Sequence, residues 1–171
     1  MVRAYDARTG TLLWTDRPDD GGLFSSAMAL TASGDKLFVI GQTGCDFSSG
    51  TPGCQSAVRA YDAQIGALAW QDLDSAFSAA DIVADGESII VAGSHTDASG
   101  AVAPTIRAYD PDTGALAWEN RADPGAGRIG GYSHVTVNGN GLFAGGALSE
   151  APLFITRLYV RALSLRPSSS R

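Results

Sequence analysis

The sequence predicts an all-β chain of three four-stranded antiparallel units, with an extra outer strand at its N-terminus. Two observations carry this prediction. Segment 2–14 recurs as 58–70 and 106–118, each copy running from an apolar-Arg-Ala-Tyr-Asp stretch through a glycine to a tryptophan. Between the copies a second unit recurs, an apolar run opened by Ser33-Gly34, Asp85-Gly86 or Asn138-Gly139 and closed by Gly41, Gly93 or Gly146. Such dipeptides supply the positive φ that tight hairpins require, and no stretch shows helical periodicity.

The copies begin about 56 and about 48 residues apart, a range in which self-similarity marks propellers or solenoids. Residues 2–6 read as an outer strand belonging to a preceding unit. The first unit then takes strands at 12–14, 27–31, 37–40 and 57–61. The second takes 67–70, 81–84, 89–92 and 105–109, and the third 115–118, 134–137, 142–144 and 155–162. Four-stranded antiparallel units repeated at this length are the sequence form of β-propeller blades. The expected architecture is therefore a partial β-propeller over residues 1–165. Its blades fall at approximately 11–62, 67–110 and 115–164, and 166–171 forms a disordered tail rich in serine. Closed propellers use about four to eight blades, so the flanks of three need a cover. That cover is either missing blades of a longer chain, the preferred reading, or a second copy joined head to tail.

The local chemistry of the copies explains their form. Asp6, Asp62 and Asp110 can accept bonds from nearby backbone amides, and Gly10, Gly66 and Gly114 tolerate a left-handed turn. Four residues on, Trp14, Trp70 and Trp118 fall on strands where an indole can wedge between adjacent sheets while its N–H seeks a backbone acceptor. The pattern Ala-x-Asp-x-x-Thr-Gly-x-x-x-Trp is present at Ala4 to Trp14 and Ala108 to Trp118, and the copy at Ala60 to Trp70 has Ile65 in place of Thr. It resembles the tryptophan-docking motif of the quinoprotein-like (PQQ-like repeat) propellers. That resemblance implies a propeller, and it covers nearly the whole chain. It does not by itself imply an activity, because the family holds both quinone-dependent alcohol dehydrogenases and non-enzymatic binding propellers such as the outer-membrane assembly lipoprotein. The dehydrogenases resemble one another in an adjacent Cys-Cys pair, calcium-ligating Glu and Asn, and a catalytic Asp. This chain has no adjacent cysteines.

Composition narrows the field. The net charge of −6 and a single lysine, Lys36, argue against a nucleic-acid partner, which needs a clustered basic stripe. No window has the roughly 18 consecutive apolar residues of a membrane-spanning helix. Cys45 and Cys54 are the only cysteines and sit in a Gly, Ser and Pro-rich loop. They read as a disulfide, with two free thiols as the alternative; the bridge favours an extracytoplasmic setting, periplasmic or secreted.

No catalytic, metal or cofactor-binding set is expected. Asp16, Asp72 and Asn120 share an offset two residues past each tryptophan and are weak candidates for a polar ligand in a central channel, solvated strand ends being the blander reading. His95 and His134 have no assignable catalytic partner, and 97–100 resembles a calcium-loop fragment without the remaining ligands, hence a turn. The loops at 45–54, 95–104 and 125–132 differ most between copies, and variable loops on a constant scaffold are how repeat proteins acquire partners. The leading expectation is a non-catalytic scaffold binding a protein or polymer through these loops. The rivals are the terminal part of a quinone-dependent oxidoreductase with its active site upstream, and a head-to-tail lectin-like ring.

Overall fold

The computed structural model describes residues 1–17, 24–46, 53–150 and 155–164, and every regular element among them is a strand. Strands β1 (Val2–Tyr5) and β2 (Leu12–Asp16) make a two-stranded first sheet. The second sheet runs in chain order through β3 (Phe24–Ser33), β4 (Lys36–Asp46), β5 (Gly53–Asp62) and β6 (Leu68–Asp74). The third runs through β7 (Phe77–Ala84), β8 (Ile89–Thr96), β9 (Val102–Tyr109) and β10 (Leu116–Arg121). The fourth holds β11 (Arg128–Asn138), β12 (Gly141–Glu150) and β13 (Ile155–Ser164). All neighbours are antiparallel, the meander of a propeller blade repeated along the chain.

The sheets divide the chain one strand later than the repeat reading does. Each tryptophan strand was expected to open a unit; instead it closes the preceding sheet, with Trp14 opposite Ala4, Trp70 opposite Ala60 and Trp118 opposite Ala108. The cause is local. The Asp-x-x-x-Gly segment folds as a tight hairpin turn, with Gly66 N–H donating to the Asp62 carbonyl at 2.9 Å and Asp62 N–H to Ala67 at 2.9 Å. A turn this short returns the chain beside its predecessor, so it cannot carry it to a new sheet.

The second repeated unit becomes the hairpin of the first two strands in the second, third and fourth sheets. Its closing glycine has a steric purpose: a Cβ on Gly41, Gly93 or Gly146 would stand 2.0 Å from the carbonyl oxygen of Ser26, Ser78 or Gly131. Each of these contacts lies beside a bulge in the first strand, at Ala27/Ala29, Ala79/Asp81 and Tyr132/His134. The central strands β4 and β8 carry unbroken apolar runs because both of their faces are covered, with Phe38, Ile40, Ile90 and Ala92 fully buried.

Cores form between sheets. Phe38, Ile40, Val58 and Ala60 of the second sheet pack on Phe77, Ile82, Ile89 and Val91 of the third. Ile90, Ala92, Ile106 and Ala108 of the third pack on Tyr132, Val135, Leu142 and Ala144 of the fourth. A smaller cluster of Val2, Trp14, Val39 and Tyr61 joins the first sheet to the second. On the far face of the fourth sheet Phe143 and Val160 are 40% and 64% exposed, where their repeat counterparts Phe38 and Val58 are 0% and 2% exposed. That face has the chemistry of a sheet-to-sheet interface without a sheet upon it among the described residues.

Candidate functional site

The seams are the most elaborate chemistry in the molecule. At each turn an aspartate organises the backbone: Asp6 Oδ1 accepts from Arg8 N–H at 2.9 Å, Thr9 N–H at 2.7 Å and Thr9 Oγ1 at 2.9 Å. Asp110 repeats the set with Asp112 N–H, Thr113 N–H and Thr113 Oγ1. These bonds favour the carboxylate, the Thr9 and Thr113 amides foremost, and hold Asp6 and Asp110 below the ordinary aspartate range. Asp62 keeps two of the three, from Gln64 and Ile65 amides, because Ile65 has no hydroxyl.

The turns at 62–66 and 110–114 each receive the indole of the preceding sheet. Trp14 Nε1 donates to the Ala63 carbonyl and Trp70 Nε1 to the Pro111 carbonyl, both at 3.0 Å. The rings lie on Gly66 and Gly114, both at positive φ, where a Cβ would come within 2.6 Å of Trp14 or 2.5 Å of Trp70. Stacking follows, Trp14 with Tyr61 and Trp70 with Tyr109, both at 6.2 Å between centroids. Trp118 packs into the core between the third and fourth sheets. The position matching Ala63 and Pro111 there is Leu165, which lies outside the described residues, as does the tail at 166–171.

The acidic positions two residues past the tryptophans answer to tyrosines. Tyr61 Oη donates to Asp16 Oδ2 at 2.8 Å and Tyr109 Oη to Asp72 Oδ2 at 2.9 Å, each across a seam. Burial first, and then the bond to Asp16, push the Tyr61 hydroxyl up to about 12; burial and Asp72 raise Tyr109 likewise. At the third seam Leu163 replaces the tyrosine and Asn120 replaces the aspartate, leaving the buried Asn120 Oδ1 without a hydrogen-bond partner among the described residues. Asp16 and Asp72 are thus each engaged with a tyrosine across a seam.

A charged cluster that the repeat reading did not single out lies on the second seam. Arg107, buried on β9, donates from Nε to Glu119 Oε2 at 2.7 Å and from Nη2 to Asp74 Oδ2 at 2.8 Å, with its guanidinium 4.2 Å above the Phe77 ring. Arg121 also pairs with Glu119. Burial opposes every charge in the cluster; the hydrogen bonds outweigh it, so Arg107 is raised and Asp74 and Glu119 are lowered. The signal was available in the recurrence of Arg3, Arg59, Arg107 and Arg161 in the Arg-Ala pairs, but only one of them has acids at both facing positions.

Toward one rim, Cys45 and Cys54 form a disulfide across the β4–β5 hairpin, with Cα atoms 4.1 Å apart. The 97–100 segment is a turn in which Asp97 Oδ1 accepts from Ser99 Oγ and from the Ser99 and Ala101 amides. Together with the 121–124 segment it borders a cleft of about 290 Å³ lined by His95, Asp97, Val102, Arg121, Asp123 and Pro124. His134, 86% exposed, lies 3.9 Å from Asp81, whose other contact across the sheets is the Val135 amide at 2.9 Å. Among the described residues no three His, Cys, Asp or Glu side chains converge as metal ligands.

The repeat family described as outer membrane protein assembly factor BamB matches residues 1–166. The chain belongs to this PQQ-like β-propeller family. A solved structure of BamB from Moraxella catarrhalis is similar over 95% of this chain at 25% identity, with a TM-score of 0.56. The chain spans 43% of that BamB's length. No curated protein matches the chain. A quinone group, which the repeat's name evokes, does not fit the residues present. The two cysteines are bonded to each other at a rim, Asp16 and Asp72 serve tyrosines, and Asp74 and Glu119 serve Arg107. No helix among the described residues is long and apolar enough to cross a membrane.

Proposed function

We propose that this chain is a non-catalytic, extracytoplasmic interaction scaffold whose rim loops hold a protein partner. The observation that carries the reading is the match to the BamB assembly-factor family over nearly the whole chain. Two features support it. The disulfide clips one rim loop in a form that persists in an oxidising compartment. The cleft beside His95 and Arg121 is of the size at which binding sites begin, and its basic groups stand at strand ends with its acidic groups on the adjoining turns. In this reading the seams act as tryptophan-docking scaffolding, with the chemistry of recognition left to loops at 45–54, 95–104 and 125–132.

The test is site-specific photocrosslinking in cells expressing the whole protein, with the probe at Ala98 in the rim loop or at Ala7 in a seam turn. A discrete envelope-protein adduct from position 98, absent at position 7, is the expected result. Adducts from neither position, a cytoplasmic location on fractionation, or dye reduction with alcohols on adding pyrroloquinoline quinone and calcium would each overturn the proposal.

A further inference from the structure

The three complete seams place an arginine at one repeat position, Arg59, Arg107 and Arg161, and treat its surroundings in three ways. At the second seam, cross-strand Glu119 and Asp74 of the preceding sheet neutralise Arg107, and Phe77 fills the space beneath it. At the third, the positions matching Ala79 and Thr105 are Tyr132 and Tyr159, which stack at 5.8 Å. At the first seam neither solution is present among the described residues. Gln71 stands opposite Arg59, Pro18 takes the place of Asp74 in the sequence, and Ser25, Ala27 and Ala57 hold the positions of the bulky groups.

What is left is a pocket of about 30 Å³, lined by Ser26, Gln42, Ala57, Arg59 and Tyr61 and covered by Met1 and Val2. Arg59 Nε is buried there and has no hydrogen-bond partner among the described residues. A buried guanidinium N–H left unpaired is costly, and this one borders a void with room for about two water-sized groups, the footprint of a carboxylate's two oxygens. The group that satisfies the same arginine one repeat later is a carboxylate, approached through Nε in a fixed fork geometry.

We propose that the pocket beside Arg59 is a carboxylate-binding site, taking either a free small carboxylate or the C-terminal carboxylate of a peptide. The inference does not rest on the scaffold reading, since it follows from the seams alone. Ser26 and Gln42, which also line the pocket, bring a hydroxyl and an amide suited to the second oxygen.

The test follows the Arg59 Nε–H resonance of the whole chain by NMR during titration with acetate, with a short peptide bearing a free C-terminus, and with its amidated form. A saturable shift with acetate and with the free peptide, absent with the amide, is expected. Tighter binding of the peptide assigns a chain terminus, and equal binding assigns the free anion. Arg59→Gln should weaken binding about tenfold or more. Gln71→Glu, at an exposed position that leaves the fold intact, supplies the missing intramolecular carboxylate and should close the site to the same degree. No saturable shift with any carboxylate, binding that persists unchanged in Arg59→Gln, or a Gln71→Glu protein that binds acetate like the parent would each overturn the proposal.

Discussion

The second and first seams begin from the same repeat and diverge in how completely they close. Between the second and third sheets, ten buried side chains, Trp70 and a fully paired Arg107 share one interface. Between the first and second, three buried residues and Trp14 meet beside an open pocket. The indole geometry is nevertheless the same in both, a 3.0 Å bond to a turn carbonyl and a ring laid on glycine. The repeat therefore specifies the joint between sheets, and the residues around it decide how much each joint is worth.

The largest expected effect tests that division. Trp70→Ala should cost about 3 kcal/mol of stability, the low end of the range for a large aromatic, because the ring is partly buried but packs on ten buried side chains. Trp14→Ala should cost clearly less, because fewer buried groups surround the cavity it leaves. Denaturant midpoints of the two variants measure the ratio, and equal losses would show that the indole bond alone sets seam strength.

Next is the arginine network. Glu119→Gln should cost about 2 kcal/mol at neutral pH, since it leaves a mostly buried guanidinium partly unpaired. Asp74 and Glu119 have folded pKa values below their ordinary ones. Their contribution is complete above the ordinary carboxylate range and disappears as pH falls through the depressed values. The parent should thus lose stability below about pH 4 more steeply than Glu119→Gln, as denaturation midpoints taken down an acid series will show.

These seams also mark what could be read in advance. The all-β class, the repeat and the turn were legible because turn chemistry is local: an Asp, a Thr and a Gly at fixed offsets act within five residues of one another. Sheet membership was not. The 12–14 strand looks the same whether it opens one sheet or closes another, and only the tightness of the 6–11 turn decides it. Asp16 and Asp72 were noticed for their shared offset, but their partners lie 45 and 37 residues away in the chain, across a seam whose existence had first to be established. Arg107 was invisible for the same reason, since one of its acids belongs to another sheet.

The tyrosine–carboxylate bonds offer a smaller handle with two ends. The Tyr61 hydroxyl is pushed up to about 12, so the neutral form is the one the fold favours. Its contribution is present below the ordinary tyrosine value and is lost as pH climbs from about 10 toward 12. Tyr61→Phe should lower neutral-pH stability by about 1–2 kcal/mol and flatten that alkaline limb. At the third seam, the double substitution Asn120→Asp with Leu163→Tyr should install the missing bond and raise stability by about 1 kcal/mol. A double-mutant cycle separates the bond from any repacking around the larger ring, and a zero coupling energy would mean that the pair is decorative at the other two seams as well.

The smallest effect isolates the turn from the seam. Ile65 is 70% exposed and occupies the place of Thr9 and Thr113, whose hydroxyls donate to the turn aspartate at 2.9 Å. Ile65→Thr should restore a third bond to Asp62 and remove an exposed apolar side chain, a gain of about 0.5 kcal/mol. Because Gly66 receives Trp14, a stiffer turn should also hold that indole more firmly and bring the weak first seam nearer to the strong second one. A rise in melting temperature for Ile65→Thr that vanishes in a Trp14→Ala background would show that the turn stabilises the molecule through the indole it carries. A rise of the same size in both backgrounds would confine the benefit to the hairpin itself.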